Sequence, residues 1–354
     1  MALRGYGWIL PCLIVLTGKP AGAQTDVPAW ATGADTEVAV VFPVNDPSDT
    51  GIVLDTLAVL QWGNRLDVIA RPVSRGSVSG DWRHDLYQLG VRYHRPGGLP
   101  VRLEIGYALS VVGLGVLESR PGERETSFLD PQYLRPLPRF DTSSVPVWSL
   151  TPSYPLVAIA AFGNDRWDAR AGVADGSPTR MRGVLRSNPP RAPQVVVGAG
   201  ITPVTGLRLG TTFVRGNYLT SDEVAEGPGG RLATVVAFEL EYEVGRTAIT
   251  AEVVRDDFEV STGHAVAASG FVHVTHALSP RWRIAGRYDH ARPPSESHAF
   301  SSQIASLKSV EAAVAYRFTR DLAVRGFVTA DRGFYQTPWA GRAGFSLVLA
   351  QRWW

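Results

Sequence analysis

Apolar and polar residues alternate most clearly between Arg231 and Asp257. One parity of the first half carries Thr234, Val236, Phe238, Leu240, Tyr242 and Val244, and the other ends in Glu239, Glu241 and Glu243. The alternation resumes after Gly245-Arg246, which has the composition of a tight turn. Only an extended strand sends successive side chains to opposite faces, so the stretch predicts a β-hairpin with one apolar face. Its strands are about eleven residues long, enough to cross a bilayer at a tilt.

The same unit recurs along the chain. Tyr87, Leu89, Val91 and Tyr93 share one apolar face, and the stretch from Val101 repeats the pattern after the turn RPGGLP. The segments that follow this pattern number sixteen: 37–42, 52–62, 66–70, 85–94, 101–110, 156–162, 167–173, 195–202, 207–215, 231–244, 247–257, 271–278, 281–289, 310–318, 322–331 and 341–354. Because the first three are weak, fourteen or eighteen strands are also compatible with the sequence.

The connections between these segments alternate in length. Short ones lie at 203–206, 245–246, 279–280 and 319–320, and long ones at 216–230, 258–268, 291–307 and 332–341. Outer-membrane barrels have this asymmetry, with tight periplasmic turns and longer external loops, whereas a β-sandwich does not sort its loops by length. The sequence therefore predicts an all-β protein, a transmembrane antiparallel up-and-down β-barrel of about sixteen strands.

The two ends of the chain fit this prediction. Arg4, the short apolar run from Ile9 to Leu16 and a small-residue site at residues 21–23 predict a cleaved signal peptide at residues 1–23. Residues 24–354 would then form a single barrel. The chain ends in Trp353-Trp354, and terminal aromatic strands resemble the signal by which the bacterial barrel-assembly machinery recognises its substrates. We expect an outer-membrane location and contact with outer-membrane lipid.

Composition excludes several structural features and argues against one class of partner. No stretch offers eighteen uncharged apolar residues, so no membrane-spanning helix is predicted. The single cysteine, Cys12, lies in the predicted leader, so a mature chain has no disulfide. Arg4 and Lys19 leave with the leader, and 35 − 2 = 33 basic residues then face 33 acidic ones. A net charge near zero argues against nucleic acid as a partner.

Two long irregular connections interrupt the hairpins, at about 118–155 and 176–193. The first is rich in proline and aromatic residues, a composition that favours packing over disorder. One interpretation is a loop folded into the lumen that narrows it, and the other is an ordinary surface loop. The candidate constriction residues are Phe128, Asp130, Tyr133, Arg135 and Arg139.

In a closed barrel the polar parity of each strand faces the lumen. This parity gives the candidate pore-lining residues: Arg92, Arg102, Glu104, Asp168, Arg170, Arg208, Glu239, Glu241, Glu243, Arg283 and Arg287. No acid occurs between Asp175 and Asp222, and acids dominate from there to Glu259, so we expect opposed basic and acidic lumen walls. The arginines could select anions, or they could pair across strands with Glu104 and Asp168.

Catalytic chemistry is not predicted. Among the seven histidines, His273 and His276 alone have a close spacing, and in a strand residues three apart point to opposite faces. There is no Gly-x-Ser-x-Gly nucleophile elbow and no glycine-rich phosphate loop before a helix. The sequence predicts no catalytic residue, no metal site and no cofactor, and we do not expect an enzyme.

The hairpins, the loop asymmetry, the leader and the aromatic C-terminus together resemble bacterial outer-membrane porins. Within that class, the segments WDARAGVADGSPTR and GAGITPVTGLRLGTTFVRGNYL are similar to the phosphate-selective porin-like group. The resemblance implies a sixteen-stranded, commonly trimeric channel with an arginine-lined anion passage. Porins of that group also use lysine clusters, whereas Lys308 is the single lysine outside the predicted leader.

Two functions remain open at this point. The first is a porin, a water-filled channel for passive diffusion of small hydrophilic solutes, either general or with a mild preference for anions. The second is a non-conducting barrel, structural or adhesive, whose lumen is occluded by the two long loops.

Overall fold

The protein folds as one closed β-barrel. A computed structural model describes residues 30–44, 50–63, 65–77, 80, 82–95, 101–108, 112, 114, 135–141, 145–151, 153–181, 190–224, 229–335 and 337–353. The predicted leader at 1–23 and three of the candidate constriction residues, Phe128, Asp130 and Tyr133, lie outside the described residues. None of the helices in the described part is long and apolar enough to cross a membrane.

Sixteen strands make up the barrel. In chain order they are β1 (Trp30–Pro43), β2 (Gly51–Trp62), β3 (Leu66–Ser77), β4 (Arg83–Arg95), β5 (Val101–Tyr107), β6 (Leu156–Asn164), β7 (Trp167–Ala174), β8 (Gln194–Val204), β9 (Leu207–Leu219), β10 (Arg231–Val244), β11 (Thr247–Val260), β12 (Gly263–Ala277), β13 (Trp282–Arg292), β14 (Leu307–Arg317), β15 (Leu322–Arg332) and β16 (Ala340–Trp353). Short 3₁₀ helices lie at Ser221–Glu223 and Ser295–Ala299.

The sheet has no free edge. Every strand pairs antiparallel with its neighbours in the chain, and β1 closes the barrel on β16, from Ala34 opposite Trp353 to Pro43 opposite Gly344. Closure satisfies the backbone N–H and C=O groups of all strands internally, the condition for a sheet to cross a bilayer. The predicted fold class and strand number are confirmed.

The strand faces differ as the alternation predicts. Phe238 and Val253, which pair across β10 and β11 on the outward face, are 60% and 59% exposed. The next pair in register, Ala237 and Val254, faces inward and is fully buried. Outward side chains near the ends of β13 and β14 are aromatic, with Trp282 and Tyr316 rings 4.7 Å apart. An apolar outer band rimmed by aromatic rings is the surface that a lipid bilayer requires.

The connections sort into two ends. The short-turn end carries residues 205–206, 245–246, 278–281 and 318–321, and the long-loop end carries 108–155, 175–193, 220–230 and 293–306. Trp30 pairs with Trp62 at the end of β2, and Trp353 pairs with Ala34 near the start of β1. Both therefore lie at the short-turn end.

One predicted long loop, 258–268, is wrong. β11 continues to Val260 and β12 starts at Gly263, and these two residues pair across a two-residue turn. The extension is stabilised because Phe258, Ala265 and Ala267 are fully buried on the inward face. The alanine-rich sequence of β12 hides this alternation, since a buried alanine gives a weak hydrophobic signal.

The predicted position of Tyr87 on the outward face is also wrong. The register between β3 and β4 shifts at Arg71 and Pro72, where Gln88 pairs with Arg71 and Leu86 with Pro72. Proline has no N–H to donate to the ladder, so a bulge at this point costs little. The bulge turns the Tyr87 ring inward, where it stacks on Tyr154 at 4.2 Å.

Gly106 permits a close approach of β4 and β5. Its φ of 137° lies in a region that side-chain-bearing residues rarely adopt. A Cβ at this position would also lie 2.5 Å from the Leu89 carbonyl oxygen and would overlap the Gly90 Cα. The facing pair Gly90 and Gly106 therefore fixes how tightly these two strands pack.

We predict that Gly106→Ala destabilises the barrel by about 1–3 kcal/mol, because it adds both backbone strain and a backbone clash. Gly326→Ala on β15 is the matched control, since a Cβ there meets nothing within 4 Å. The temperature at which the folded band disappears on an unboiled gel should fall for Gly106→Ala alone. An equal fall in both variants would contradict the close-approach argument.

Candidate functional site

The inward face of β7, β9 and β10 carries a charged network, which we call the charged wall: Asp168, Arg170, Arg208, Thr212, Glu239 and Glu241. Arg208 is at its centre. Its Nε and Nη2 donate to the two carboxylate oxygens of Asp168 at 2.8 and 2.9 Å. Its Nη1 donates to Glu239 at 3.1 Å and to Glu241 at 2.9 Å. One guanidinium therefore joins three carboxylates from two strands.

Glu239 is the most buried charged member of the charged wall, with its side chain 2% exposed. Its carboxylate accepts hydrogen bonds from Arg170 at 3.0 Å, from the Thr212 hydroxyl at 2.9 Å and from Arg208. A buried carboxylate is tolerated only when such partners replace water. The buried end of the wall is thus neutralised internally.

Two glycines of β8, the strand between β7 and β9, leave room for the side chains of the charged wall. β8 places Gly198 opposite Arg170 and Gly200 opposite Asp168. A Cβ at Gly200 would lie 2.5 Å from an Asp168 carboxylate oxygen and 2.8 Å from Arg208 Nη2, and one at Gly198 would lie 2.7 Å from Arg170 Nε. These glycines let side chains from β7 and β9 meet across β8, a feature that residue type alone did not indicate.

A second charged group lies on β4 and β5. Arg92 Nε donates to Glu104 at 3.1 Å. Arg102, on the same inward parity as Glu104, has no carboxylate within ion-pair distance in the described part of the chain. Its charged neighbours at longer range are Arg92, Glu104 and Arg170. Arg102 therefore presents a positive charge that the protein does not neutralise by direct contact.

The remaining candidate pore-lining residues also fall on the inward parity of their strands. Arg287 is buried, donates to Asp289 at 2.8 Å and lies 4.2 Å over the Phe271 ring. Arg283 precedes it on β13 and pairs in register with Ala315. Glu243 is exposed near the turn after β10.

The predicted arrangement of opposed basic and acidic walls is not what the structure has. Arg208 on β9 and Glu241 on the adjacent strand β10 are direct register partners. Within the described residues, Arg180 and Arg208 of the arginine-rich stretch therefore pair directly with carboxylates of the acid-rich stretch. The reason is the up-and-down topology, which places segments that are consecutive in sequence next to each other in the barrel.

We call the connection between β5 and β6, residues 108–155, the inner loop; its described part folds inward. Leu137 N–H donates to the Val147 carbonyl at 2.7 Å, and Pro136 bridges Trp148, so its described part forms a narrow hairpin. Phe140 and Leu150 are buried, and the Phe140 ring lies 5.0 Å from that of Phe258 on β11. An apolar core thus forms inside the barrel.

Polar contacts anchor the inner loop to several walls. The buried Ser149 hydroxyl donates to Asp256 on β11 and lies 2.6 Å from the Ser269 hydroxyl on β12. At the opposite side Tyr154 stacks on Tyr87 of β4. The alternation of residues could not reveal Ser149, Asp256 and Ser269 as a group, because Ser149 lies more than a hundred residues from the other two in sequence.

The two described constriction candidates, Arg135 and Arg139, lie in the second half of the inner loop, on the first arm of its described hairpin. Arg135 Nη2 is 3.8 Å from Asp331 of β15. Burial lowers the pKa of the Arg135 guanidinium, while the Asp331 carboxylate acts in the opposite direction. Arg139 donates to the Asp141 carbonyl at 3.0 Å and lies 5.0 Å over the Phe300 ring.

The described part of the second long connection, residues 175–181 and 190–193, contacts the inner loop through residues 178 and 179. Trp148 N–H donates to the Thr179 carbonyl and Thr151 N–H to the Pro178 carbonyl, both at 3.0 Å. Arg180 holds this segment to the barrel through a 2.7 Å ion pair with Glu223 and a 2.9 Å bond to the Tyr218 carbonyl. The described parts of the two connections therefore pack as one unit.

Neither metal nor catalytic geometry emerges in the described residues. No group of three or more histidine, cysteine, aspartate and glutamate residues could hold a metal ion there. His273 is buried on the inward face, whereas His276 faces outward and is 2.9 Å from the Thr247 hydroxyl.

Several solved structures match the barrel, although no protein-family model and no curated protein does. OprB of Pseudomonas putida gives a TM-score of 0.59 at 10% identity, over 92% of this chain and 94% of that chain. An anion-selective porin from Comamonas acidovorans gives 0.54 at 9% identity, over 92% and 100%. OmpT of Vibrio cholerae, in a trimer form, gives 0.54 at 10% identity, over 92% and 99%.

At these identities the likeness concerns the fold. The chain is an all-β closed barrel of sixteen antiparallel strands with porin-like architecture. No narrower group within the porin-like barrels is identified, the phosphate-selective group included.

We predict that Ser149→Ala loosens the inner loop, because it leaves the buried Asp256 carboxylate without its hydroxyl donor, a loss of about 1–3 kcal/mol. Limited proteolysis of the folded protein should cut within residues 108–155 at least several times faster than in wild type. Ser346→Ala removes a buried inward serine of β16 and serves as the control. Equal cleavage rates in all three proteins would show that Ser149 does not anchor the loop.

Proposed function

We propose that this protein is an outer-membrane porin that forms a water-filled channel for passive diffusion of small hydrophilic solutes. The supporting observation is the accessibility of charged side chains inside a closed barrel. Asp168 and Glu241 side chains are 41% and 47% exposed, and those of Arg92 and Arg170 are 26% and 25% exposed. Charged groups that retain this much solvent contact line an aqueous space and not a packed core.

We extend the proposal to a mild preference for anions. The carboxylates of the charged wall are engaged by Arg208 and Arg170, so their charge is compensated locally. Arg102 forms no such ion pair in the described part of the chain. Its charged neighbours are Arg92, Glu104 and Arg170, and Glu104 is already paired with Arg92. An uncompensated arginine on a lumen wall attracts anions and raises their local concentration. An anion-selective porin is among the proteins of similar fold.

The inner loop is assigned the role of constriction in this proposal. It reaches β4 through Tyr154, β11 through Ser149 and β15 through Arg135, so it extends across the interior. Arg135, Arg139 and the Phe128, Asp130 and Tyr133 segment would border the narrowest passage. Solutes would then pass between this loop and the exposed charged side chains of β4, β5 and β7.

Location and assembly complete the proposal. Long loops would face outward and short turns the periplasm, as in other outer-membrane barrels. The leader at residues 1–23 would be removed, residues 24–354 would form the barrel, and the C-terminal aromatic strand would be recognised by the barrel-assembly machinery. A homotrimer is the proposed assembly, since OmpT is described in a trimer form. The proposal assigns no catalytic activity to the chain.

A non-conducting structural barrel is the second candidate. It is favoured by the apolar core that the inner loop forms within the barrel, where Leu150, Val254 and Phe258 are fully buried. In that case the loops at 108–155 and 175–193 would occlude the lumen.

Planar-bilayer recording separates the two candidates. We predict stepwise single-channel conductance from folded wild-type protein and a zero-current potential on the anion side under a salt gradient. Arg102→Gln should shift that potential toward cations, because it removes the uncompensated charge. Arg166→Gln, in the exposed turn between β6 and β7, is the charge-matched control and should leave the potential unchanged.

Absence of conductance from protein that is folded on gels would favour the occluded barrel. Conductance with a cation-preferring potential would retain the channel and refute the anion preference.

A further inference from the structure

The outward face of β13, β14 and β15 carries basic side chains at the long-loop end; we call this set the basic patch: His290, Arg292, Lys308 and Arg332. Register places His290 directly opposite Lys308, and Lys308 directly opposite Arg332. Arg292 lies two residues from His290 on the same face. Directly opposed side chains in a sheet have Cβ atoms about 4.5–5.5 Å apart, so like charges in such pairs repel.

The described residues form no ion pair with the charged members of this patch. In the described part of the chain, none of Arg292, Lys308 and Arg332 forms an ion pair, and the Arg332 Nε is buried without a hydrogen-bond partner. The neighbouring carboxylates Asp289 and Asp331 lie on the inward parity. The two opposed cations Lys308 and Arg332, with Arg292 on the next strand, form no ion pair within the described residues and point to an anion from outside the chain.

Outward carboxylates on the nearby strand β11 are already engaged. Asp257 lies 2.7 Å from His264 Nδ1. Glu259 accepts the Leu232 backbone N–H at 3.1 Å. The basic patch is therefore a separate feature of the outer surface.

The position of the patch defines which anion it can meet. Tyr288 and Val310 lie on the same outward face, two residues closer to the short-turn end than His290 and Lys308. They are 42% and 48% exposed and belong to the apolar band. On the described strands β9 to β16, the outward-facing arginines and lysine all lie toward the long-loop end: Arg215, Arg255, Arg292, Lys308 and Arg332. The short-turn end of β13 and β14 instead carries Trp282 and Tyr316.

We propose that the basic patch binds the phosphorylated saccharide headgroup of an outer-leaflet glycolipid, lipopolysaccharide. The patch lies at the border between the apolar band and the long loops, the level at which lipid headgroups meet a barrel. Arginine and lysine side chains form charge-assisted hydrogen bonds with phosphate oxygens, and basic pockets beside the membrane bind anionic headgroups. This interaction is independent of the channel, because the side chains point away from the lumen.

The test measures retention of lipopolysaccharide by folded, detergent-solubilised protein in native mass spectrometry titrations. Wild type should bind phosphorylated lipopolysaccharide, and the double variant Lys308→Gln with Arg332→Gln should bind it at least about tenfold more weakly. The matched control is Arg281→Gln with Arg320→Gln, which removes two exposed charges from the short-turn end of the same strands. It should bind as wild type does.

Two further experiments identify the source of the phosphate, and two controls show that the double variant is folded. Enzymatically dephosphorylated lipopolysaccharide should bind wild type as weakly as the double variant binds the intact lipid, and millimolar inorganic phosphate should not displace the intact lipid. Lys308→Arg should retain binding, and single-channel behaviour of the double variant should equal that of wild type. Equal binding by the double variant and wild type, or equal binding of dephosphorylated lipid, would overturn the proposal. Displacement by inorganic phosphate would also overturn it, since the patch would then be a free-anion site.

Discussion

The closure of β1 on β16 is the constraint on which the rest of the structure depends. A sheet in a bilayer has no water with which to pair its edges, so every strand must be bonded on both sides. Once the barrel is closed, the two faces of each strand belong to different environments. Apolar side chains such as Phe238 then face outward, and Glu239 beside it is confined to the interior, where it needs partners.

The interior meets this need in two ways. In one sector the charged wall neutralises its buried carboxylates through Arg208 and Arg170, with glycines of β8 providing the space between them. In the sector near the long loops the inner loop supplies its own hydroxyl, Ser149, to Asp256. The passage that we propose runs beside Arg102, in the part of the interior that neither the charged wall nor the inner loop fills. Selectivity would then depend on the Arg102 guanidinium, which forms no direct ion pair within the described residues.

Sequence reasoning could predict the hairpins, because a period of two is a local property, and the strand number follows from counting them. It could also place Arg208 and Glu239 on the inward face. It could not predict that they bond each other, because the contact depends on the register of β9 and β10 and on the space at Gly210, where a Cβ would lie 2.9 Å from Glu239 and 3.1 Å from Arg208. The bulge at Tyr87 and the contact of Ser149 with Asp256 were hidden for a related reason. Both depend on partners that local patterns do not identify.

The central claim is that Arg102 borders a water-filled passage. Thiol accessibility tests it most directly, because the one cysteine in the sequence, Cys12, lies in the predicted leader. In the Arg102→Cys variant, a membrane-impermeant charged thiol reagent should react rapidly and change the single-channel current. Leu103→Cys, on the outward face of the same strand, should leave the current unchanged. An unreactive cysteine at position 102 in a folded barrel, or reaction there without any change in current, would contradict the account.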